Sequence, residues 1–191
     1  MLTFVVVSCI VSAADITINP TNDGYIHPNG SVNTSGYVMV TDSYRGIIVF
    51  STSQITKEVT HATLSINPYG MPVWIKQLAV SAYQRNDSEI VTSDYDAGVF
   101  LGYWLLPEVY TYGQDAFFDV TQFMQEVSSP FVGFNLRAAT TGSTDVFSSL
   151  EYNYGHPSQL TIALVPEPAT LVLLALGGMM LRQRAKGKRQ N

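Results

Sequence analysis

Between Phe131 and Arg137 apolar and polar side chains alternate, which puts Val132, Phe134 and Leu136 on one face of an extended chain. The same period of two returns at His61 to Ile66, where Ala62, Leu64 and Ile66 share a face and His61 falls on the opposite, exposed one. It appears again in Leu78, Val80 and Ala82. Tyr44 to Ser51 carries the central run Ile47-Ile48-Val49-Phe50, and Ala116 to Val120, Thr144 to Ser149 and Gln159 to Leu164 read as further strands. Turns fall at Asn67-Pro68-Tyr69-Gly70, Gly142 and Gly155-His156-Pro157, where His156 is expected to shape the turn. Thr121 to Val127 is the one helical candidate, with Thr121 placed to cap a turn or two. Eight or more short strands without alternating long helices must bury one face of each strand against another sheet. The expected fold is therefore all-β, a two-sheet sandwich of jelly-roll type followed by a short C-terminal hydrophobic helix.

Charge is unevenly distributed. Only 13% of residues are charged, against roughly 25% in an average soluble domain. Five of the ten Lys and Arg residues (Arg182, Arg184, Lys186, Lys188, Arg189) occupy the last ten positions. From Asp15 to Val165 five cations face fourteen acids, a net charge near -9. Such a body repels phosphate backbones, which excludes nucleic acid as a partner. Its acidity leaves room for a structural calcium ion, although no loop has calcium-ligand spacing and no cofactor is expected.

Both ends read as targeting segments. Leu2 to Val11 is an apolar run, followed by Ser12-Ala13-Ala14 and the polar Asp15, so signal peptidase is expected to cut after Ala13 or Ala14. No Lys or Arg precedes the run, which implies a start upstream of Met1 or an atypical signal. Two alternatives are a lipobox at Val6-Val7-Ser8-Cys9, with Cys9 lipidated, and a buried N-terminal strand. Cys9 is the one cysteine, so a mature domain without it has neither disulfides nor a thiol nucleophile.

At the other end Val165-Pro166-Glu167-Pro168 precedes an apolar stretch from Ala169 to Leu181 and then the basic cluster. Proline on both sides of Glu167 blocks helix and holds that carboxylate in an extended, accessible segment. The apolar stretch spans about 20 Å as a helix, short of the roughly 30 Å hydrocarbon core. It therefore crosses only with bilayer thinning or snorkelling by Arg182 and Arg184. This tripartite tail resembles the PEP-CTERM sorting signal of Gram-negative bacteria that make exopolysaccharide. The resemblance implies that an exosortase in the membrane recognises Pro166, Glu167 and Pro168 and removes the helix. A plain tail anchor is the alternative, and it too would leave the body outside the cell. The organisation expected is a signal peptide at 1–14, a sandwich at 15–165 and a sorting tail at 166–191. The protein would be membrane-anchored through the tail, then released at the cell surface or beyond.

The body carries a second resemblance. Arg45-Gly46-Ile47-Ile48-Val49-Phe50, Ile55 and Thr60-His61-Ala62-Thr63-Leu64-Ser65-Ile66 resemble the opening of DNRLRE-type domains. Phe118-Asp119-Val120-Thr121, Val132-Gly133-Phe134-Asn135-Leu136-Arg137, Phe147-Ser148-Ser149 and Pro157-Ser158-Gln159-Leu160-Thr161-Ile162 resemble their closing half. That family includes modules of carbohydrate-binding family 96, which implies a jelly-roll sandwich accompanying polysaccharide-acting proteins. Leu150 stands where the family has arginine, and Tyr95 to Tyr112 replaces its tryptophan-asparagine-proline turn. The glycan contact supplied by that arginine is thus missing.

Sugars stack their apolar faces on aromatic rings while carboxylates and amides bind their hydroxyls. Asp94, Tyr95, Asp96, Trp104, Tyr110 and Tyr112 concentrate such groups in what reads as one long loop, the candidate glycan site. In the alternative, Tyr103, Trp104 and Tyr110 pack across a sandwich edge. Tyr69 and Trp74 form a second candidate beside a Pro-Gly turn. Asp94 and Asp96, two apart in an extended segment, would face one side, as paired carboxylates or calcium ligands. His27, His61 and His156 lack metal-ligand spacing, and no nucleophile elbow, phosphate loop or zinc-protease helix is present. The expectation is a non-enzymatic surface or matrix protein that binds or sits in exopolysaccharide. A structural or adhesive domain without a sugar site is the alternative, and a polysaccharide hydrolase or lyase the remote one.

Overall fold

A computed structural model describes residues 14–69, 77–105, 115–140, 144–147 and 156–165. Asp15–Leu164 make one unit, and the termini, Met1–Ala14 with Val165–Asn191, make another that falls almost wholly outside the described residues. The expected cut at Ala13 and Ala14 meets the fold at its first strand, which begins at Ala14. The sorting residues Pro166, Glu167 and Pro168 and the stretch expected to form a C-terminal hydrophobic helix lie outside the described residues.

The body is built of antiparallel sheets. Its strands are β1 (Ala14–Ile18), β2 (Asn22–Ile26), β3 (Val32–Asn33), β4 (Val38–Thr41), β5 (Arg45–Ser51), β6 (Val59–Ile66) and β7 (Pro68–Tyr69). They continue with β8 (Gln77–Arg85), β9 (Val99–Leu105), β10 (Ala116–Asp119), β11 (Phe131–Ala138), β12 (Thr144–Phe147) and β13 (Gln159–Leu164). One sheet has the order β3-β2-β5-β11-β8-β9, a second β1-β13-β6-β10, and a short third β4-β12-β7. Among the described residues the one α-helix is α1 (Thr121–Gln125), and Thr92–Asp96 form a 3-10 helix.

Alternation decides the core. Ile48 and Phe50 of β5, Val132, Phe134 and Leu136 of β11, and Leu78, Val80 and Ala82 of β8 turn to one side of the six-stranded sheet. Ala62, Leu64 and Ile66 of β6 with Leu160, Ile162 and Leu164 of β13 belong to the same buried cluster, so the large sheets share one core in the manner of a sandwich. Phe134 sits at its centre, edge-on to Phe50 at 5.9 Å and to Phe123 of the α1 helix at 6.1 Å.

The helix start differs from the expected one. Thr121 does not cap; the cap position is Val120, without a side-chain bond. Thr121 is instead a tie to β6. Its Oγ1 accepts from the Ala62 amide at 2.9 Å and lies 3.1 Å from His61 Nδ1, while its own amide donates to Asp119 Oδ1 at 2.8 Å. That hydroxyl reaches a strand amide left over at the sheet margin, which docks the helix on the four-stranded sheet. Hydrogen bonding from Thr121, hydroxyl and then amide, holds the Asp119 carboxyl below its ordinary range.

Gly24 marks the tightest approach between strands. A Cβ there would strike the Asn33 carbonyl oxygen and come within 2.9 Å of Thr34 Cα. Neither is a side chain that can swing aside. Gly24→Ala should therefore lower stability by about 1–3 kcal/mol, as overpacking does, read as an earlier midpoint in urea unfolding; an unchanged midpoint would refute the close contact.

Candidate functional site

Among the described residues, the outer face of the six-stranded sheet is covered over part of its width. Residues 86–97 cross it over β2 and β5, where Ile90 packs with Ile26, Ile47 and Val49 in a second buried cluster joined by Tyr95 and Phe131. Polar ties hold this segment down. Asn22 Nδ2 donates to the Ser88 carbonyl at 2.9 Å and Thr92 Oγ1 to the Gly30 carbonyl at 2.9 Å. The central tie is an ion pair between Arg85 Nη1 and Asp94 Oδ2 at 3.0 Å, with both side chains more than nine-tenths buried. Asp94 also accepts the Val91 amide at 2.9 Å, and Arg85 reaches Asp87 at 2.7 Å and the Glu89 carbonyl. Asn135 Nδ2 donates to the carbonyls of Asp94, 2.8 Å, and Tyr95, 3.0 Å. Burial, and then the Asp94 charge, push the Tyr83 phenol next to this network well above its ordinary pKa.

Where the covering segment stops, a groove of about 310 Å³ opens. Small residues, Ala79 and Ser81 of β8, make it low, and taller neighbours wall it: Tyr95, Asp96 and Ala97 on one side, Phe100 and Tyr103 of β9 on the other. Arg45, Asn135 and Arg137 complete the lining. Arg45 is 8% exposed. Its guanidinium lies 4.4 Å from the centre of the Tyr95 ring, and Nη1 donates to the Asp42 carbonyl at 3.0 Å. The Tyr95 hydroxyl donates in turn to the Ser43 carbonyl at 2.6 Å, so ring and guanidinium are fixed together. Burial lowers the Arg45 pKa from its ordinary value, and the neighbouring Arg137 charge adds to that effect.

A bulge sets the far wall. On β9, Phe100 pairs with Ser81 and Gly102 with Val80, leaving Leu101 as the extra residue. Gly102 takes φ +151°, which side chains rarely adopt. The bulge turns both Phe100 and Tyr103 outward, 53% and 56% exposed, with ring centres 5.0 Å apart and edge-on.

This arrangement redistributes the expected glycan site. Tyr103 and Trp104 lie on a strand, not in a long loop. Trp104 points the other way, into the core, 6% exposed and 5.6 Å from the Phe118 ring, so it offers no platform to a sugar. Asp94 and Asp96 do not pair: the backbone is helical there, which turns Asp94 inward to Arg85 and leaves Asp96 exposed at the groove. Tyr95 is half-buried and its ring is taken up by Arg45. Tyr110, Tyr112 and Trp74 fall outside the described residues, as does the Tyr69 side chain. Arg45, Phe100, Asn135 and Arg137 were not sequence candidates. Arg45 and Asn135 each follow the parity opposite to the core residues on their own strands, which was the available signal.

The histidines are occupied. His61 is exposed, its ring between Thr63 and Thr121, each at 3.1 Å. His156 Nε2 lies 3.1 Å from Asp115 Oδ1, which also accepts from Asn67 at 2.9 Å. His27 sits among Tyr25 and Tyr44 rings. Among the described residues no three His, Cys, Asp or Glu side chains converge to hold a metal ion.

The fold therefore defines a β-rich domain with an open cleft on one sheet. Residues 164–185 match the PEP-CTERM protein-sorting motif. The motif marks the chain for export, exosortase processing and membrane-anchored passage to the cell surface of a Gram-negative bacterium. The match lies in the tail and does not reach the body of the chain. No curated protein matches the chain. Among the described residues no helix is long and apolar enough to cross a membrane.

Because the cleft depends on the covering segment, loss of one partner in its buried ion pair should be costly. Asp94→Ala should destabilise the protein by about 3–5 kcal/mol, the cost of stranding a buried charge, measured by chemical unfolding; a loss below about 1 kcal/mol would mean that the pair behaves as an exposed one.

Proposed function

We propose that this exported surface protein binds extracellular polysaccharide through the groove on its six-stranded sheet, and does so without catalysis. One observation carries the reading: two exposed rings, Phe100 and Tyr103, stand beside hydrogen-bonding groups from Arg45, Asp96, Asn135 and Arg137 in an open trough. Rings supply a face for the apolar side of a pyranose, and the polar groups meet its hydroxyls. An open trough rather than a closed pocket suits a polymer that enters from the side. The binding needs no cofactor. A jelly-roll connectivity is part of the same reading, supported by the way successive strands change sheet: β5 and β6, β9 and β10, and β10 and β11 fall in different sheets.

In full chain kept in a nonionic detergent, Phe100→Ala and Tyr103→Ala should each weaken glycan binding about tenfold, the equivalent of about 1.4 kcal/mol. Affinity electrophoresis through the polysaccharide gel reads this directly, and unaltered mobility shifts in both variants would reject the groove. The sorting half of the proposal predicts that Glu167→Ala leaves the chain uncleaved in the membrane fraction. Normal release of the shortened form would reject exosortase processing through that residue.

A second reading, a structural or adhesive protein, is favoured by one observation. Val99, Leu105 and Phe117 are exposed apolar side chains on strands that end their sheets. Free strand edges of this kind favour protein contacts. Under that reading Phe117→Ser abolishes surface adhesion while glycan binding persists; the polysaccharide reading expects the reverse dependence on Phe100.

A further inference from the structure

We propose that the groove selects saccharides by a negatively charged substituent, a carboxylate or a sulfate ester, held between the guanidiniums of Arg45 and Arg137. The inference rests on the reading of the groove as a saccharide site and names the chemistry that site prefers.

The body is poor in cations, with five among its residues 15–165. Two of these five line one groove. Elsewhere the fold neutralises a buried cation with care: Arg85 meets Asp94 and Asp87. Among the described residues neither Arg45 nor Arg137 makes such an ion pair. Arg45 is nonetheless almost fully buried. Asp96 and Asp42 act on the Arg45 charge, but neither forms an ion pair with it, so this buried guanidinium is less compensated than that of Arg85.

The geometry of Arg45 is that of a prepared donor. Its flat face is covered by the Tyr95 ring and Nη1 is engaged by the Asp42 carbonyl, so the plane of the fork is fixed. The donors not engaged by Asp42 are those available to a ligand, and a planar fork of fixed orientation suits an oxyanion. Arg137 comes from β11 and is exposed in the same groove, where its guanidinium can meet the same group. Asp96 contributes the one carboxylate in the lining, which leaves two positive charges against one negative. The surplus matches a single monoanionic substituent. Phe100 and Tyr103, across the trough, would then hold the ring that bears it.

The test uses full chain in nonionic detergent and four immobilised probes: polygalacturonate, its carboxyl-reduced product, dextran sulfate and dextran. Retention of at least one charged probe should exceed that of its uncharged counterpart by about tenfold, the scale of a charge-assisted bond. The pair that responds tells carboxylate from sulfate. Arg137→Ala, an exposed change that leaves the core alone, should lower retention of the charged member far more than that of the uncharged one, so that the preference disappears. Arg45→Lys keeps the charge but loses the fork and the ring contact, and should lower the preference as well. Equal retention within both pairs overturns the charge selection and leaves the saccharide reading standing. Retention of none of the four overturns the saccharide reading and this inference together.

Discussion

The ion pair of Arg85 with Asp94 decides what the outer face of this protein is. Without it, Ile47, Val49 and Ile26 would be an apolar surface open to water. With it, residues 86–97 are drawn across that surface and Ile90 is set into it. The pair works because it does not stand alone: Asp94 also accepts the Val91 amide, and Arg85 also reaches Asp87 and the Glu89 carbonyl, although its buried Nε has no partner among the described residues. A buried pair tied in this way fixes geometry more than it adds stability. The geometry fixed is the wall of the groove, since Tyr95, Asp96 and Ala97 follow Asp94 directly.

A chain of contacts leads from that wall into the groove. Asp94 places Tyr95, Asn135 holds the carbonyls of both, and Tyr95 holds the Arg45 guanidinium against its ring. The opposite wall has a different origin, a bulge at Leu101 that brings Phe100 and Tyr103 to the same side. One wall is thus positioned by electrostatics and the other by backbone geometry. The floor needs neither, because Ala79 and Ser81 are simply too small to fill the space.

Strands that alternate cleanly were legible in the sequence. Those over residues 59–66, 77–85, 131–138 and 159–164 follow the period of two, those over 45–51 and 116–119 read as apolar runs, and their inward residues are the core. The period fails at β9, where an extra residue shifts the pattern and Gly102 looks like a loop glycine. That is why Tyr103 and Trp104 read as a loop although they stand on opposite faces of a strand. Asp94 read as a ligand because its partner, Arg85, lies nine residues away across a turn that no local pattern announces. The groove itself is assembled from four strands and a 3-10 helix, so its residues share no window of sequence. Only the parity of Arg45 and Asn135, opposite to that of the core residues on their strands, was on view. The tail was legible for the contrary reason: all its information is local and linear.

The position of β13 bears on when this protein can finish folding. It is the last strand of the body, yet it lies inside its sheet, with β1 from the beginning of the body on one side and β6 on the other. Neither of those strands can complete its ladder until the final stretch, Gln159–Leu164, has arrived. For a chain threaded outward from its N-terminus, that stretch emerges immediately before the sorting segment. Completion of this sheet therefore waits on the stretch of chain that directly precedes the cleavage address.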